Sequence, residues 1–275
     1  MRAITLVLVL CLYSPASADV SNWVPVEINN GQVILPVMLD GQPASALLDT
    51  GSSGHGISEK FLASHEGTYA RGRRVTVRGI KEDRDTSMIN GVSLGIFGVE
   101  FTMNQLLPIK ADDVDFVLGL PFFDLFIVQI DYPNRRMRII NRDSLDLRKF
   151  SNVKMMRAGG VGHPQVRVNL NGEYKGWLML DTGNNGPILL RRSIAERNGW
   201  LDKYPTIEGT TTGVNDVAAG IQTFSLPSMT IGPVELENVM ISVPVEGEEL
   251  QLSRFDPIVW STGTNIKRAK KTDGI

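Results

Sequence analysis

Cysteine is almost absent from this chain of 275 residues. Its one cysteine, Cys11, lies in an apolar run near the N-terminus, where the preceding Leu10 does not fit a lipid-attachment signal. A single cysteine provides neither a disulfide framework nor a cysteine-rich zinc site. The protein must therefore be held together by hydrophobic cores, and the chain is long enough to form two of them.

Histidine is also scarce, and no metal-binding spacing such as H-E-x-x-H surrounds His55, His65 or His163. The G-x-S-x-G elbow of serine hydrolases is missing as well. The glycine-rich stretch at residues 159–162 lacks the lysine of a phosphate-binding loop, so we interpret it as a linker. We predict no metal ion and no cofactor, and we interpret the three histidines as surface or packing residues.

An excess of positive charge is lacking too, since 28 lysines and arginines are balanced by 30 aspartates and glutamates, for a formal net charge of −2. This balance argues against nucleic acid as a partner. The basic cluster at residues 267–271 is short and is interpreted as a solvated tail. No run of 18 or more apolar residues is present, which predicts the absence of a membrane span.

The N-terminus has the pattern of a secretory signal peptide. Arg2 is followed by an apolar run at residues 4–13 and by Ala16-Ser17-Ala18, which fits a cleavage site. We therefore predict a signal peptide at residues 1–18, a mature chain from Asp19 onward, and a periplasmic or secreted location. A cysteine-free exported protein suits a Gram-negative periplasm better than an animal extracellular space.

The most informative feature is a motif that occurs twice. Residues 46–54, ALLDTGSSG, are closely matched by residues 178–186, LMLDTGNNG, so that Asp49 and Asp181 lie 132 residues apart. An Asp-Thr-Gly triplet arises by chance at roughly one position in 5,000. Two copies, each behind an apolar run, indicate two buried strands that each deliver one carboxylate to a tight turn.

The chemistry of such turns follows from their residues. A carboxylate at the end of a buried strand needs hydrogen bonds, which the following threonine hydroxyl and backbone N–H groups can supply. If the two turns face each other, the like charges cannot both form easily, and the pair holds one proton between them. One carboxyl can then act as a base toward water while the other donates to a carbonyl oxygen.

The duplicated motif resembles the catalytic loops of the aspartic peptidases, which occur once per chain in the retroviral type and twice in the two-lobed pepsin type. The resemblance implies that Asp49 and Asp181 form the catalytic pair, which shares a proton in this family. It also implies that the two threonines brace the loops across the lobes, although each could instead cap only its own turn. The supporting loop residues implied by the resemblance are Thr50, Gly51, Ser52, Thr182 and Gly183.

The residues after the two triplets differ. Ser52 and Ser53 match the pepsin-like continuation, and we expect them to hydrogen-bond the Asp49 carboxylate. Asn184 and Asn185 occupy these places in the second copy. The two carboxylates should therefore not be electrostatically equivalent.

A second resemblance concerns residues 115–119, which match the family's apolar-apolar-Gly strand; Gly119 would let this strand cross tightly over the loop of Asp49. Residues 255–259 begin like the same element, but Trp260 stands where glycine is expected. We therefore expect the loop of Asp181 to lack its supporting strand. Because no helix and closing hairpin follow, the second lobe is expected to be incomplete at its C-terminal end, through divergence or through a truncated or frame-shifted reading.

The surrounding sequence is duplicated as well. Asp40-Gly41 and Asn171-Gly172 predict hairpin turns before the motifs, and residues 58–64 and 191–198 predict short helices. Residues 75–80 and 207–213 occupy the position of the family's flap, a hairpin that closes over bound peptide, but ordinary surface hairpins fit equally well. Together these features predict a mainly β fold of two retropepsin-like (acid-protease) β-barrel lobes with short helices, at residues 19–150 and 151–275.

The predicted function is an aspartic-type endopeptidase with a peptide or protein substrate; the oligomeric state is left open. One alternative is a catalytically inactive, peptide-binding protein with the same fold, which the unusual C-terminus favours. A glycoside hydrolase also needs an acid and a base. It is disfavoured because its chemistry does not require duplicated D-T-G loops and because the chain offers only four tryptophans as sugar platforms.

Overall fold

The computed structural model describes residues 20–65, 69–146, 153–158, 162–251 and 259–260. The predicted signal peptide, residues 159–161 of the predicted linker, the predicted boundary between the lobes and the basic C-terminal cluster lie outside the described residues. The predicted mainly β fold with short helices is confirmed. In the part of the chain that the structure describes, no helix is long and apolar enough to span a membrane.

The first half of the chain forms a set of short strands with two helices. In chain order these are β1 Val24–Pro25, β2 Glu27–Asn29, β3 Gln32–Leu39, β4 Gln42–Leu48, β5 Gly56–Ser58, α1 Glu59–Ala63, β6 Ala70–Arg78, β7 Asp83–Asn90, β8 Val92–Ile96, β9 Val99–Met103, β10 Leu107–Ile109, β11 Phe116–Leu118, α2 Leu120–Leu125, β12 Phe126–Asp131 and β13 Arg136–Asn141. A short 3-10 turn at Arg142–Ser144 follows.

The second half follows a similar but not identical order of elements. They are β14 Met155–Ala158, β15 His163–Leu170, β16 Tyr174–Leu180, β17 Ile188–Leu189, α3 Arg192–Arg197, α4 Trp200–Lys203, β18 Ile207–Thr211, β19 Ala219–Ile231, β20 Val234–Pro244 and β21 Val259–Trp260. Helix α4 is additional, and β19 and β20 are two long strands. The helices predicted at residues 58–64 and 191–198 are confirmed as α1 and α3.

Each aspartate is reached by a tight hairpin, β3–β4 in the first half and β15–β16 in the second. The turn residues have positive φ angles, 48° and 74° at Asp40 and Gly41 and 51° and 73° at Asn171 and Gly172. Asparagine, aspartate and glycine tolerate this left-handed conformation best. The two predicted hairpins are therefore confirmed, together with the reason for their turn residues.

A parallel strand lies beside each of the strands that end in an aspartate. In the first half β11 pairs with β4, with Leu118 opposite Leu48. In the second half β21 pairs with β16, with Trp260 opposite Leu180. The expectation that the loop of Asp181 lacks this strand is therefore wrong.

The same register corrects the placement of Trp260. It corresponds to Leu118 and not to Gly119, whose place falls on Ser261, outside the described residues. The predicted absence of a helix and closing hairpin in the second lobe concerns residues 261–275, which also lie outside the described residues.

Each half has its own hydrophobic core. In the first half, Leu35, Leu39 and Phe116 are fully buried in one cluster. In the second half, Trp200 and Phe224 lie in a separate cluster, with their ring centroids 6.3 Å apart. Because each strand that precedes an aspartate ends in one of these cores, the carboxyls are anchored to rigid β-structure.

Candidate active site

The structure brings Asp49 and Asp181 together. Each follows the last residue of an apolar strand, Leu48 of β4 or Leu180 of β16. Their side chains hydrogen-bond each other, and both residues are half-buried. Two carboxyls from opposite halves of the chain therefore share one partly accessible site.

Backbone N–H groups of each loop bind the carboxyl of the same loop. Gly51 donates to Asp49 Oδ1 at 2.8 Å and Ser52 at 3.1 Å, and Gly183 donates to Asp181 Oδ1 at 2.8 Å. The expectation that Ser52 hydrogen-bonds the Asp49 carboxylate is confirmed, although its hydroxyl donates to the Gly54 carbonyl at 2.8 Å. Ser52 acts on Asp49 through its backbone instead.

The glycine of each triplet packs against the carboxyl of the opposite loop. A Cβ atom on Gly51 would lie 2.6 Å from Asp181 Oδ1, and one on Gly183 would lie 2.6 Å from Asp49 Oδ1. Any side chain at either position would push the two carboxyls apart. The glycines are therefore required by contact across the site.

The two threonines of the triplets are buried and join the loops by four hydrogen bonds. The Thr50 backbone N–H donates to Thr182 Oγ1 at 3.1 Å, and the Thr182 N–H donates to Thr50 Oγ1 at 3.0 Å. The Thr50 hydroxyl donates to the Leu180 carbonyl at 2.5 Å, and the Thr182 hydroxyl donates to the Leu48 carbonyl at 2.8 Å. Each hydroxyl thus bridges to the other lobe and does not only cap its own turn.

Strand β11 and the residues that follow it hydrogen-bond to the loop of Asp49. The Asp49 N–H donates to the Leu118 carbonyl at 3.0 Å, and the Leu120 N–H donates to the Ser52 carbonyl at 2.9 Å. A Cβ atom on Gly119 would lie 2.9 Å from the Ser52 carbonyl oxygen and closer still to that of Gly54. Gly119 therefore sits where only glycine lets the two backbones cross.

The environment of the two carboxyls is unequal. Burial raises the pKa of Asp49, but the hydrogen bond from Asp181, the N–H groups of its loop and the charge of His163 act in the opposite direction. Burial and the neighbouring charge of Asp49 raise the pKa of Asp181 well above its ordinary value. The two carboxyls therefore titrate as a coupled pair that holds one proton between them, although their surroundings differ.

Two histidines contact this framework. His55 Nδ1 accepts a hydrogen bond from the Gly119 N–H at 3.3 Å, and its ring stacks on Phe116. Burial lowers the pKa of His55, in keeping with a neutral, accepting ring. His163 Nδ1 lies 3.2 Å from the Thr50 carbonyl oxygen. The prediction that all three histidines are only surface or packing residues is therefore wrong for His163.

A second contact between the halves joins the two hairpins at the predicted flap positions. The turn between β6 and β7 is held by Asn215, whose Nδ2 donates to the carbonyls of Val77 at 3.2 Å and Glu82 at 2.7 Å. Lys81 pairs with Glu248 at 2.9 Å, and the Gln251 N–H donates to the Ile80 carbonyl. The lobes therefore touch both at the aspartate loops and at the hairpin tips.

Sequence reasoning did not identify His163, His55 or Asn215, because each acts through a contact far away in the chain. A signal for His163 was present in the duplication itself. Counted back from the hairpin turns, His163 and Gln32 occupy the same first position of β15 and β3. Among the described residues, no group of three or more His, Cys, Asp or Glu side chains could hold a metal ion.

Comparisons with known proteins agree with the duplication. A family model described as aspartyl protease matches residues 35–122 and again residues 166–252, one match for each aspartate loop. A crystal structure of a retropepsin-like aspartic protease from Rickettsia conorii is 19% identical over 40% of this chain and 72% of that chain, with a TM-score of 0.27. The comparison with curated proteins found no match.

The threonine brace predicts coupled losses of stability. Thr182→Val removes a buried hydroxyl and leaves the Thr50 N–H and the Leu48 carbonyl unpaired, which should lower the free energy of unfolding by about 2 kcal/mol. Thr50→Val should act similarly, and the double variant should lose less than the sum because the two residues belong to one hydrogen-bond network that joins the same two loops. Urea unfolding measures these values. Thr182→Ser, which keeps the hydroxyl, is the control, and strictly additive losses would contradict a shared brace.

The raised pKa of Asp181 predicts that stability declines with pH. The folded protein keeps a proton that the unfolded chain releases near the ordinary value of 3.8, so this contribution is full below that pH and is lost as pH rises through the raised pKa. Urea unfolding at a series of pH values should show the decline in the wild type and a flatter profile in Asp181→Asn. Asp131→Asn, which removes a carboxyl with a lowered pKa, should keep the decline. If the free energy of unfolding of Asp181→Asn declined with pH as steeply as that of the wild type, Asp181 would not be the source of the decline.

Proposed function

Because the chain belongs to the aspartyl protease family, we propose that it is an aspartic-type endopeptidase that hydrolyses peptide bonds in peptides or proteins. The observation that supports this proposal most strongly is the hydrogen-bonded pair of Asp49 and Asp181, with a pKa that is raised far more at Asp181. Such a pair supplies a base and an acid within reach of one substrate carbonyl. One chain provides both carboxyls.

In the proposed reaction, the ionised Asp49 takes a proton from a water molecule whose oxygen attacks the carbonyl carbon of the peptide bond. Asp181 donates its proton to the carbonyl oxygen, which gives a neutral tetrahedral intermediate. Asp49 then passes its proton to the leaving nitrogen as the C–N bond breaks. One hydroxyl of the intermediate returns a proton to Asp181. Neither carboxylate attacks the substrate, so no covalent intermediate forms.

The surrounding residues have supporting roles in this proposal. The N–H groups of Gly51, Ser52 and Gly183 orient the two carboxyls, since each donates to the Oδ1 atom of its own loop. The buried hydroxyls of Thr50 and Thr182 keep the loops at a fixed separation. Gly119 carries the strand that supports the first loop. All of these groups lie on β-structure and its turns, as precise catalysis requires.

We further propose that the paired hairpins close over an extended peptide. Their tips meet through Asn215, and the Lys81–Glu248 pair joins the β6–β7 turn to the segment after β20, while the lobes also meet at the aspartate loops. A substrate between these two contacts would be enclosed, which excludes water from the reacting bond. The signal peptide proposed for residues 1–18 would place this activity in the periplasm or outside the cell.

The spacing of the carboxyls weighs against the glycosidase alternative. The two carboxyls that flank a glycosidic bond stand about 5 Å or more apart, whereas Asp49 and Asp181 are in direct hydrogen-bond contact. Peptide binding without hydrolysis remains the alternative that the activity measurement must separate from the proposed function.

Replacing either aspartate by asparagine tests the proposed activity. Asp49→Asn removes the base and Asp181→Asn removes the shared acid, so each should reduce cleavage of a mixed peptide library by on the order of a thousandfold or more. The mature protein from Asp19 onward is assayed by mass spectrometry of the products. Asp143→Asn, in an exposed turn, is the matched control and should cleave like the wild type. A folded wild type that binds extended peptides without cutting them would support the binding alternative.

The shared proton also predicts a rate that falls with rising pH. Asp181 must be protonated to act as the acid, so kcat should decline as pH rises through its raised pKa. At low pH the rate should fall again, because Asp49 becomes protonated and can no longer act as the base. The measurement is kcat and kcat/KM against pH, with circular dichroism at each pH as the control for unfolding. A rate that still increases above neutrality would contradict the proposed acid.

A further inference from the structure

Gln32 and His163 form an equivalent pair across the two halves. Each is the first residue of the strand that begins its hairpin, β3 or β15. Each crosses to the aspartate loop of the other half: Gln32 Nε2 donates to the Gly183 carbonyl at 2.6 Å, and His163 Nδ1 lies 3.2 Å from the Thr50 carbonyl. The duplication has therefore placed one donor from each lobe on the opposite loop.

Gln32 and His163 differ in the charge that their side chains can carry. The Gln32 amide is neutral at every pH, whereas an imidazole can bind a second proton near neutral pH. A carbonyl oxygen only accepts, so Nδ1 of His163 must carry hydrogen in this contact. His163 can therefore keep its hydrogen bond in both charge states, with the second proton entering at Nε2.

The charges that face His163 identify the group on which its charge acts. Arg157 on β14 lies beside the start of β15, but it is half-exposed and pairs with Asp124 of α2 at 2.5 Å. In the opposite lobe, Asp49 is the acidic group whose pKa is affected by the charge of His163. Asp181 is the hydrogen-bonded partner of Asp49. Burial raises the pKa of Asp49, and the charge of His163 is one of the smaller effects that act against this increase; burial and the charge of Asp49 raise the pKa of Asp181 well above its ordinary value.

We propose that His163 is a positioning residue that holds the loop of Asp49 through the Thr50 carbonyl and, when protonated, favours ionisation of Asp49, so that the shared proton stays on Asp181. This inference rests on the proposed function and assigns the two roles within it. His163 touches neither the substrate nor the reacting atoms. It makes the pair asymmetric, which a second glutamine at this position would not do.

The direction of the effect is fixed by the sign of the charge. A positive charge on His163 would make the first deprotonation of the pair easier, which extends the active, singly ionised form to lower pH. Removing the charge should move that deprotonation to higher pH by about one unit. Removing the hydrogen bond as well should loosen the loop and reduce activity even at the optimum pH.

Two variants separate these effects. His163→Asn places an amide nitrogen near the position of Nδ1 and keeps a donor without the charge, whereas His163→Ala removes both. The carboxyl titration of Asp49 and Asp181 is followed by ¹³C NMR, together with kcat/KM against pH. In His163→Asn the first carboxyl titration and the acid limb of the rate should both move up by about one unit, with the maximal rate retained. His163→Ala should show the same shift and a further loss of about tenfold.

The control is His65→Asn, because His65 hydrogen-bonds within its own helix segment and stacks on Phe61. It should leave the titration and the rate unchanged. An unshifted first titration in a folded His163→Asn variant would overturn the proposal, as would an equal loss of maximal rate in the Asn and Ala variants. If the wild type cleaves no peptide, the proposed function fails, while the carboxyl titration still decides the role of His163.

Discussion

The exchange of hydrogen bonds between Thr50 and Thr182 is the contact on which the site depends, because it holds two carboxyls together that would otherwise repel. Two unit charges 4 Å apart repel by about 4 kcal/mol at an effective dielectric constant near 20. Four hydrogen bonds that each contribute about 1 kcal/mol are of the same size. The hydrogen bonds of the brace therefore do not exceed the repulsion between two ionised carboxylates. Sharing one proton removes the repulsion, so the geometry and protonation state of the site are linked.

Duplication provides the two carboxyls, and small departures from it make them different. The loops share their aspartate, threonine and glycine, and with them the backbone donors and the mutual packing of glycine against carboxyl. The residues around these loops are not duplicated, since Gln32 corresponds to His163 and Ser52 to Asn184. A symmetric pair would share its proton equally. Unequal neighbours give the two carboxyls different surroundings, on which the proposed roles of base and acid depend.

Much of this could be predicted from the sequence, because it is encoded locally. Residue preferences over a few positions predict the Asp40-Gly41 and Asn171-Gly172 turns and the apolar strands before the aspartates. They also predict the helices α1 and α3. The pairing of two D-T-G loops followed from family resemblance. Sequence alone places β21 one position out of register with β11, because a continuous apolar run such as Phe116–Leu118 has no alternation of polar and apolar residues to fix the register.

Contacts between the halves could not be predicted in the same way. The bond from His163 to the Thr50 carbonyl and the bonds from Asn215 to Val77 and Glu82 join residues more than 100 positions apart. They depend on how two folded lobes dock, which no local pattern encodes. The sequence also does not show which group of Ser52 binds Asp49. The Ser52 backbone N–H donates to the Asp49 carboxyl, whereas its hydroxyl donates to the Gly54 carbonyl.

The two contacts between the lobes differ in strength, and this difference decides which one can open. At the aspartate loops the bonds are made by buried threonines, and breaking one strands buried polar groups at a cost of about 1–3 kcal/mol each. At the second contact, the pair of Lys81 in the β6–β7 turn and Glu248 in the segment after β20 is partly exposed, and such pairs contribute little to stability. Asn215 adds hydrogen bonds that water can replace once the tips separate. A peptide should therefore enter by parting the tips while the loops act as the fixed end of the cleft.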